Sequence, residues 1–301
     1  MANTWKEQLH NSLVKKYGNK KGPVLSKKYC DSFPHSYIDD SNVDTAINDI
    51  DYLEQLSAQK PLELNFYFLP EENVNALHLR LYQWQQPIPL SDVLPMLENL
   101  DLRTNNETPH KITLDNNQII WISDFIVIYS KGTFEIEKTK ELFQEAFTAI
   151  YFGLSENDGF NKLILAASLS WRDIIILRTY AKYLRQVGFR FTQPYIEKTL
   201  VNNASITKNL IELFFSLHNP QNQAKEKNQT QKIEQQILQA LDSVTSLDED
   251  RIIRRMLELI KATLRTNYFQ KDKNGKPKDY LAIKLNSRTI PELPLPMPRV
   301  L

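Results

Sequence analysis

QIIWISDFIVIY (118–129) begins with apolar and polar residues in alternation and ends as an almost unbroken apolar run. A strand reads this way when its far half is covered on both faces. Asp124 interrupts the run, which is also well short of the ~20 apolar residues that a membrane helix needs. Working outward, HKITL (110–114) is the preceding strand, and Asp115-Asn116-Asn117 supplies the turn between the two. LELNFYFLP (62–70) and ALHLRLYQW (76–84) make an earlier strand pair, separated by a polar loop around Glu71–Asn75. Between the pairs, PLSDVLPMLENLDL (89–102) reads as a helix capped by Ser91, with Pro95 in its first turn. Leu142, Phe143, Ala146, Phe147 and Ile150 then form a helical stripe. The order is β-β-α-β-β-α over residues 61–153, and a four-stranded antiparallel sheet with two helices on one face buries all of these stripes.

That order resembles an ACT-like regulatory module, although it departs from the usual β-α-β-β-α-β permutation. The expected class is α+β, with mainly helical segments flanking the sheet. Before it, residues 1–57 read as a helical segment. Leu9, Leu13 and Val14 lie at helical spacing, then Gly18 and Gly22-Pro23 interrupt. DTAINDIDYLEQL (44–56) sets Ala46, Ile50, Leu53 and Leu56 on one face. After the module (58–153), a helical connector is expected over 154–245. Ser170 and Asp173 open its central helix as a capping box, and Gly188 closes that helix. Thr192 precedes a further short helix, SITKNLIELFFSLHNP runs to a stop at Pro220, and QNQAKEKNQTQ (221–231) is a polar loop or frayed helix start. The last stretch, 246–301, opens with a capping box of Ser246 and Glu249. Its helix carries Ile252, Ile253, Met256, Leu259, Ile260 and Leu264. KDKNGKPK is a turn, YLAIKLN (280–286) a strand, and PELPLPMPRVL an extended tail.

Bulk properties exclude several classes. Thirty-seven Lys and Arg against thirty-six Asp and Glu leave a formal charge of +1, so no global field gathers nucleic acid or an anionic membrane. Six lysines between Lys15 and Lys28 form a local basic run, which lacks regular aromatic interleaving and reads as a solvated face. A single cysteine, Cys30, forms no internal disulfide. The start, MANTWKEQLHNSLVKKYGNKK, lacks the apolar core and cleavage site of a signal peptide, and the expected location is the cytoplasm.

Chemistry is harder to find. A dinucleotide cradle needs closely spaced glycines, yet no two of the seven (18, 22, 132, 153, 159, 188, 275) are separated by a single residue. The histidines at 10, 35, 78, 110 and 218 lack metal-ligand spacing, so ordinary surface or half-buried roles are expected. Cys30 near His35 is a weak thiolate–base pair, and an idle thiol is the commoner case. Glu156, Asp158, Asn161 and Asp173 suggest a carboxylate site, but capping by Asn157 or Asp158 and by Ser170 explains them more simply. Tyr180, Tyr183, Phe189, Phe191 and Tyr195 are spaced to seal a corner between packed helices rather than to stack a base. Lys284, Ser287 and Arg288 lie beside the terminal strand, where they would meet a carboxylate or simply face solvent. No catalytic, cofactor-binding or metal residue is assigned.

Three long strings resemble one family, the large NAD-specific glutamate dehydrogenases of bacteria: PLSDVLPMLENLDL (89–102); ENDGFNKLILAASLSWRDIIILRTYAKYLRQVGFRFTQPYIEKTL (156–200); and LDEDRIIRRMLELIKATLRTNYFQ (247–270) with YLAIKLNSRTIPELPLPMPR (280–299). The resemblance begins near Trp5 and covers almost the whole chain. It implies the last ACT-like module, the helical connector and the first helix and strand of the catalytic region. The family's substrate motifs, catalytic acid and nucleotide-binding glycines would then follow after Leu301. It further implies oxidative deamination of L-glutamate to 2-oxoglutarate and ammonia with NAD, a homo-oligomer, and an amino-acid effector for the ACT-like part. A separate class of reading is a non-enzymatic sensing or assembly module that binds its own catalytic partner. On this resemblance the chain is a segment, and YLAIKLN has no later strand to pair with; the 61–153 region is expected to fold alone because its strand and helix stripes suffice for one core.

Overall fold

The computed structural model describes residues 4–68, 76–129, 136–222 and 227–294. Within them the chain is α+β, and its described residues divide into two units: 1–98 with 102–136, and 99–101 with 137–301. The first unit is built on an antiparallel sheet of β1 (Leu62–Phe68), β2 (Ala76–Trp84), β3 (Leu102–Thr113) and β4 (Ile119–Tyr129), in spatial order β1-β2-β4-β3. Leu69, Pro70 and the expected loop at 71–75 lie outside the described residues. Central placement of β2 explains its composition: Leu77, Leu79 and Leu81 are buried on one face, and His78, Arg80 and Tyr82 on the other.

β3 starts at Leu102, well before the expected HKITL. Its first half, RTNNETP, has no apolar alternation because β3 is an edge strand with several exposed residues. Pro109, paired with Ser123, is tolerated there for the same reason, and the register shifts between Thr104 and Asn106. The turn to β4 is as read: Asn117 adopts φ 59° and the Gln118 amide donates to Asn116 Oδ1 at 3.0 Å. Helix α4 (Leu90–Asn99) begins one residue before Ser91, so Ser91 is not its cap. Instead the Pro89 carbonyl accepts from the Asp92 and Val93 amides, and the Ser91 hydroxyl turns to Asp92 Oδ1. Pro95 therefore sits in the second turn and cannot bond the Ser91 carbonyl.

Three N-terminal helices complete this unit: α1 (Trp5–Tyr29), α2 (His35–Asp40) and α3 (Val43–Leu53). α1 is a helical hairpin that reverses at Gly18, whose φ of 78° and ψ of 174° are non-helical. Contacts are symmetric about that point. Lys6 reaches Asp31, His10 Nδ1 lies 2.8 Å from Ser26 Oγ, and Gly22 lies against Val14. Gly22 therefore does not interrupt the helix as expected; it lets the two arms touch. Lys16 and Lys28 of the basic run bind Asp51 of α3 (2.7 Å) and Glu54 just beyond it (2.5 Å), and Tyr29 also donates to Glu54 at 2.7 Å. Leu9, Leu13, Tyr29, Tyr37, Ala46, Ile50 and Leu53 share one core with Tyr82, Ile112, Ile120 and Ile122 of the sheet. These helices thus cover a face of the sheet, which argues against a 61–153 segment that folds without them.

Described elements of the second unit are α5 (Ile136–Tyr151, in this unit from Glu137), α6 (Leu163–Ala167), α7 (Trp171–Gln186), α8 (Gln193–Asn202), α9 (Ala204–His218), α10 (Lys227–Leu241), α11 (Leu247–Ala262), β5 (Thr263–Thr266) and β6 (Ile283–Leu285). α9 packs against α6, α8, α10 and α11 around buried Leu210, Leu213 and Phe214. Ser170 and Asp173 form the expected capping box, and Gly188 takes φ 75° after α7. Ser246 accepts from the Glu249 amide, but that box is half made: the Glu249 carboxylate binds Asn202 and Asn203 at 3.1 and 3.0 Å. α11 ends at Ala262, sooner than its apolar pattern suggests, and Leu264, on β5, is 55% exposed. β6 falls inside YLAIKLN and pairs antiparallel with β5. The strand expected to lack a later partner thus has an earlier one. Residues 223–226 of the polar stretch and 295–301 of the tail lie outside the described residues. No described helix is long and apolar enough to cross a membrane.

Two outcomes follow from this packing. A Cβ on Gly22 would stand 2.5 Å from Val14 Cα and 2.9 Å from the Leu13 carbonyl. Since neither atom can move aside cheaply, Gly22→Ala should cost about 1–3 kcal/mol in a urea melt. Deleting residues 1–57 exposes Tyr82, Ile120 and Ile122, and circular dichroism of the remainder should show a broadened, non-cooperative thermal transition for the sheet.

Candidate functional site

The residues singled out from the sequence do not converge on one place. Cys30 lies 3.3 Å from Ser26 Oγ and near the Lys6 carbonyl, and burial pushes its thiol up. His10 joins that group through Ser26, and the His35 pairing is replaced by this one. The other histidines go separate ways. His78 stacks on Tyr67 and lies 3.6 Å from Asp124, His110 contacts Ser36 and Tyr37, and His218 sits 3.4 Å from the Ile260 carbonyl. Among the described residues no group of three or more His, Cys, Asp and Glu could hold a metal ion.

Asp158 caps the short turn Gly159–Lys162, and it also anchors a buried arginine. Arg178, 3% exposed, donates to both Asp158 oxygens at 2.7 and 2.8 Å and to Asn161 Oδ1 at 2.9 Å, while Lys182 pairs with Glu156. Asp173, besides its capping role, accepts from Tyr268 Oη at 2.7 Å, tying the start of α7 to the segment after β5. Tyr180 donates to or accepts from Thr263 Oγ1 at 2.7 Å. Phe191 stacks on Tyr195 and meets Phe189 edge-on, at the corner between α7 and α8. Lys284 is exposed on β6; Ser287 and Arg288 lie in the short turn Ser287–Thr289 that follows, where Arg288 is exposed.

One constellation was not singled out from the sequence. Arg80 on β2, 6% exposed, is surrounded by side chains from three other elements. Its Nε and Nη2 reach Asp124 Oδ2 of β4 at 2.9 and 2.7 Å, and Nη1 reaches Asp49 Oδ2 of α3 at 2.6 Å. Tyr37 of α2 and Tyr82 of β2 donate to Asp49 at 2.5 and 2.7 Å. The result is a hydrogen-bonded ion network between the sheet and the helices over it. Burial tends to raise both carboxyls. For Asp49 it prevails, holding the group above the usual carboxylate range. For Asp124 the His78 and Arg80 N–H groups outweigh it and hold the group below that range. In ALHLRLYQW the alternation of His78, Arg80 and Tyr82 looks like a solvent face. The only available signal was that DTAINDIDYL places Asp49 near the apolar stripe of α3.

This network is a fold determinant with measurable consequences. Arg80→Met removes the guanidinium shared by buried Asp49 and half-buried Asp124 and should cost about 3–5 kcal/mol in denaturant melts. The acid response has a separate source. Burial lowers His110 and His218 below the ordinary value of 6.5, so the folded rings stay neutral while the unfolded ones protonate. Stability should therefore fall as pH drops through and below 6.5, and His110→Gln should reduce the loss measured between about pH 7.5 and about pH 5.5.

Comparison with known proteins bears on all of these elements. Residues 12–56 match the family model for glutamate dehydrogenase helical motif 2, and 61–139 that for the glutamate dehydrogenase ACT3 domain. Residues 155–220 match glutamate dehydrogenase helical motif 3, and 236–300 match the catalytic domain of bacterial NAD-glutamate dehydrogenase. The chain is 41% identical over 300 residues to the NAD-specific glutamate dehydrogenase of Pseudomonas aeruginosa, a match that covers 98% of this chain and 18% of that relative. Similar proteins of the same name from Halomonas elongata (39% over 299 residues) and Mycobacterium tuberculosis (32% over 306 residues) are each matched by 99% of the chain and over 18% of their own length. Four consecutive motifs in one order, with relatives aligned along nearly every residue, place this chain in the bacterial NAD-specific glutamate dehydrogenase family, of whose long members it spans 18%.

Proposed function

We propose that this chain supplies regulatory and scaffolding parts of an NAD-dependent glutamate dehydrogenase, which oxidatively deaminates L-glutamate to 2-oxoglutarate and ammonia. The observation that carries this reading is the collinear match of an ACT3 domain, a helical motif and the catalytic-domain model along one chain. In this reading the ACT-like sheet is the sensing or subunit-contact part, and an amino acid is its effector class. The helices that follow it connect it to the catalytic region, whose family-model match begins at residue 236. Homo-oligomeric assembly and a cytoplasmic location complete the proposal.

In this reading NAD, the family's hydride acceptor, is not held by the described residues. A pyrophosphate needs backbone amides left free at a helix start, with glycines close enough together for the backbone to approach. Here Gly18, Gly153, Gly188 and Gly275 each occupy an isolated left-handed position. The starts of α1, α3, α7 and α11 are capped by their own Thr4, Asn42, Ser170 and Ser246; those of α2, α6, α8 and α9 have no side-chain cap, but none of them carries closely spaced glycines. We therefore assign NAD binding and hydride transfer to parts of the relatives' length that this chain does not match. What these residues contribute is positional. Tyr180–Thr263, Tyr268–Asp173 and the Arg172 bond to the Lys278 carbonyl hold the β5–β6 ribbon and its approach to α7.

The purified 301-residue chain, supplied with glutamate and NAD, should give no turnover above heat-killed protein, and calorimetry should detect no NAD binding. Turnover, or NAD binding at micromolar concentration, would overturn the assignment.

A further inference from the structure

The end of α5 carries three large apolar side chains that the fold leaves in water. Tyr151, Phe152 and Leu154 are all exposed, Phe152 by 47% and Leu154 by 62%. The knob they form is well held. The Phe152, Gly153 and Leu154 amides donate to the Thr148, Ile150 and Ala149 carbonyls at 3.0, 3.0 and 2.8 Å, and Gly153 takes the left-handed φ of 70° that closes the helix. The Tyr151 and Phe152 rings meet edge to face, 4.9 Å apart. A contiguous apolar group of this kind marks an interaction surface rather than a solvent face.

Charge shows what this knob can meet. From Glu141 to Asn161 the acids are Glu141, Glu145, Glu156 and Asp158, and the stretch has no lysine or arginine. Glu156 and Asp158 are taken by Lys182 and Arg178. Glu141 and Glu145 are exposed and pair with no described cation. Positions 141, 145 and 152 share one helix face, so these two carboxylates lead along α5 to Phe152, with Glu145 about 10 Å from it.

A surface of the opposite character lies elsewhere in the same unit. The end of α9 and the β5–β6 ribbon border a cleft of about 750 Å³. Leu217 and Leu264 are exposed in it, Ala282 and Ile283 add to its apolar wall, and none of the described residues lining it is acidic. Its cations are Arg265 and Lys284. Both are exposed, neither has an ion pair with a described residue, and they are direct cross-strand partners in the ribbon. Like charges placed opposite each other on neighbouring strands weaken the pairing. A carboxylate set between them replaces that repulsion with two attractions.

We infer that the cleft receives the α5 knob of a second copy of this chain. Phe152 and Leu154 enter between Leu217 and Leu264, and Glu145 lies against Arg265 and Lys284. A convex apolar knob thus meets a concave apolar wall, and an acidic helix face meets a cleft without acids. Two copies related by a two-fold axis make the contact twice, and copies related by a rotation that closes make a ring. The inference deepens the homo-oligomeric assembly proposed above and rests on that part of the reading alone.

The test is the oligomeric state of the 301-residue chain, measured by sedimentation velocity over a wide concentration range at low salt. The parent chain should self-associate. Lys284→Glu and Glu145→Lys, each at an exposed position, should each weaken association by about three- to tenfold, since each turns an exposed ion pair into a repulsion. The chain carrying both substitutions should regain association, because the exchanged charges attract again across the interface. Phe152→Ser should weaken association with no change in the thermal transition recorded by circular dichroism. A parent chain that stays monomeric would overturn the interface together with the proposed assembly. Association that ignores the single substitutions would overturn the interface alone and leave assembly to another surface. Weakening by the single substitutions without recovery in the double variant would overturn the pairing of this knob with this cleft.

Discussion

A guanidinium buried between a sheet and a layer of helices constrains everything around it. Arg80 cannot be hydrated where it lies, so two carboxylates from different elements must come to it, and each must itself be satisfied. Asp124 comes from the neighbouring strand and fixes the pairing of β2 with β4. Asp49 comes from α3, and with Tyr37 and Tyr82 it fixes how the helices lie on the sheet. A hydrophobic interface of the same area would tolerate sliding; this one has a single arrangement that leaves no charge uncompensated. The apolar cluster around Tyr29, Ile50 and Ile120 supplies the driving force, and the ion network supplies the address.

The same logic governs which parts were legible in the sequence. Strands and helices with a strong apolar period were readable because burial on one side leaves a local trace. QIIWISDFIVIY and the stripes of α7 and α9 are of this kind. Edge strand β3 was half missed because RTNNETP needs no apolar alternation when one neighbour suffices. α11 was read too long because Leu264 continues its period although the chain has already turned into β5. Ser91 offered a plausible cap, yet the Pro89 carbonyl was one turn position better placed. For β3 and α11 the error lay where local preference is weak and a strand partner decides, and for α4 it lay in a choice between two neighbouring caps.

Side-chain sites were less legible than elements, for a related reason. A carboxylate–guanidinium pair has no sequence period, and Asp49 and Arg80 stand on opposite sides of a helix end, a loop and a strand. Arg178 likewise finds Asp158 and Asn161 only because the turn at Gly159 brings the chain back over α7. The glycine spacing was informative in the other direction: isolated left-handed glycines make turns, and the folded chain uses Gly18 and Gly188 as turns. The family strings carried further than any single residue, because long matched stretches encode tertiary partners together with local preference.

The outer edge of β3 also bears on how this protein behaves at high concentration. An open strand edge is a template on which a second chain can add its own strand, and such growth is the usual route to β-aggregates. Here that edge presents Pro109, which has no amide hydrogen to offer, a register irregularity between Thr104 and Asn106, and the exposed charges of Arg103 and Lys111. An incoming strand would meet a missing donor, a kink and a positive charge within a few residues. On this side of the sheet the edge is thereby a poor template for intermolecular strand addition.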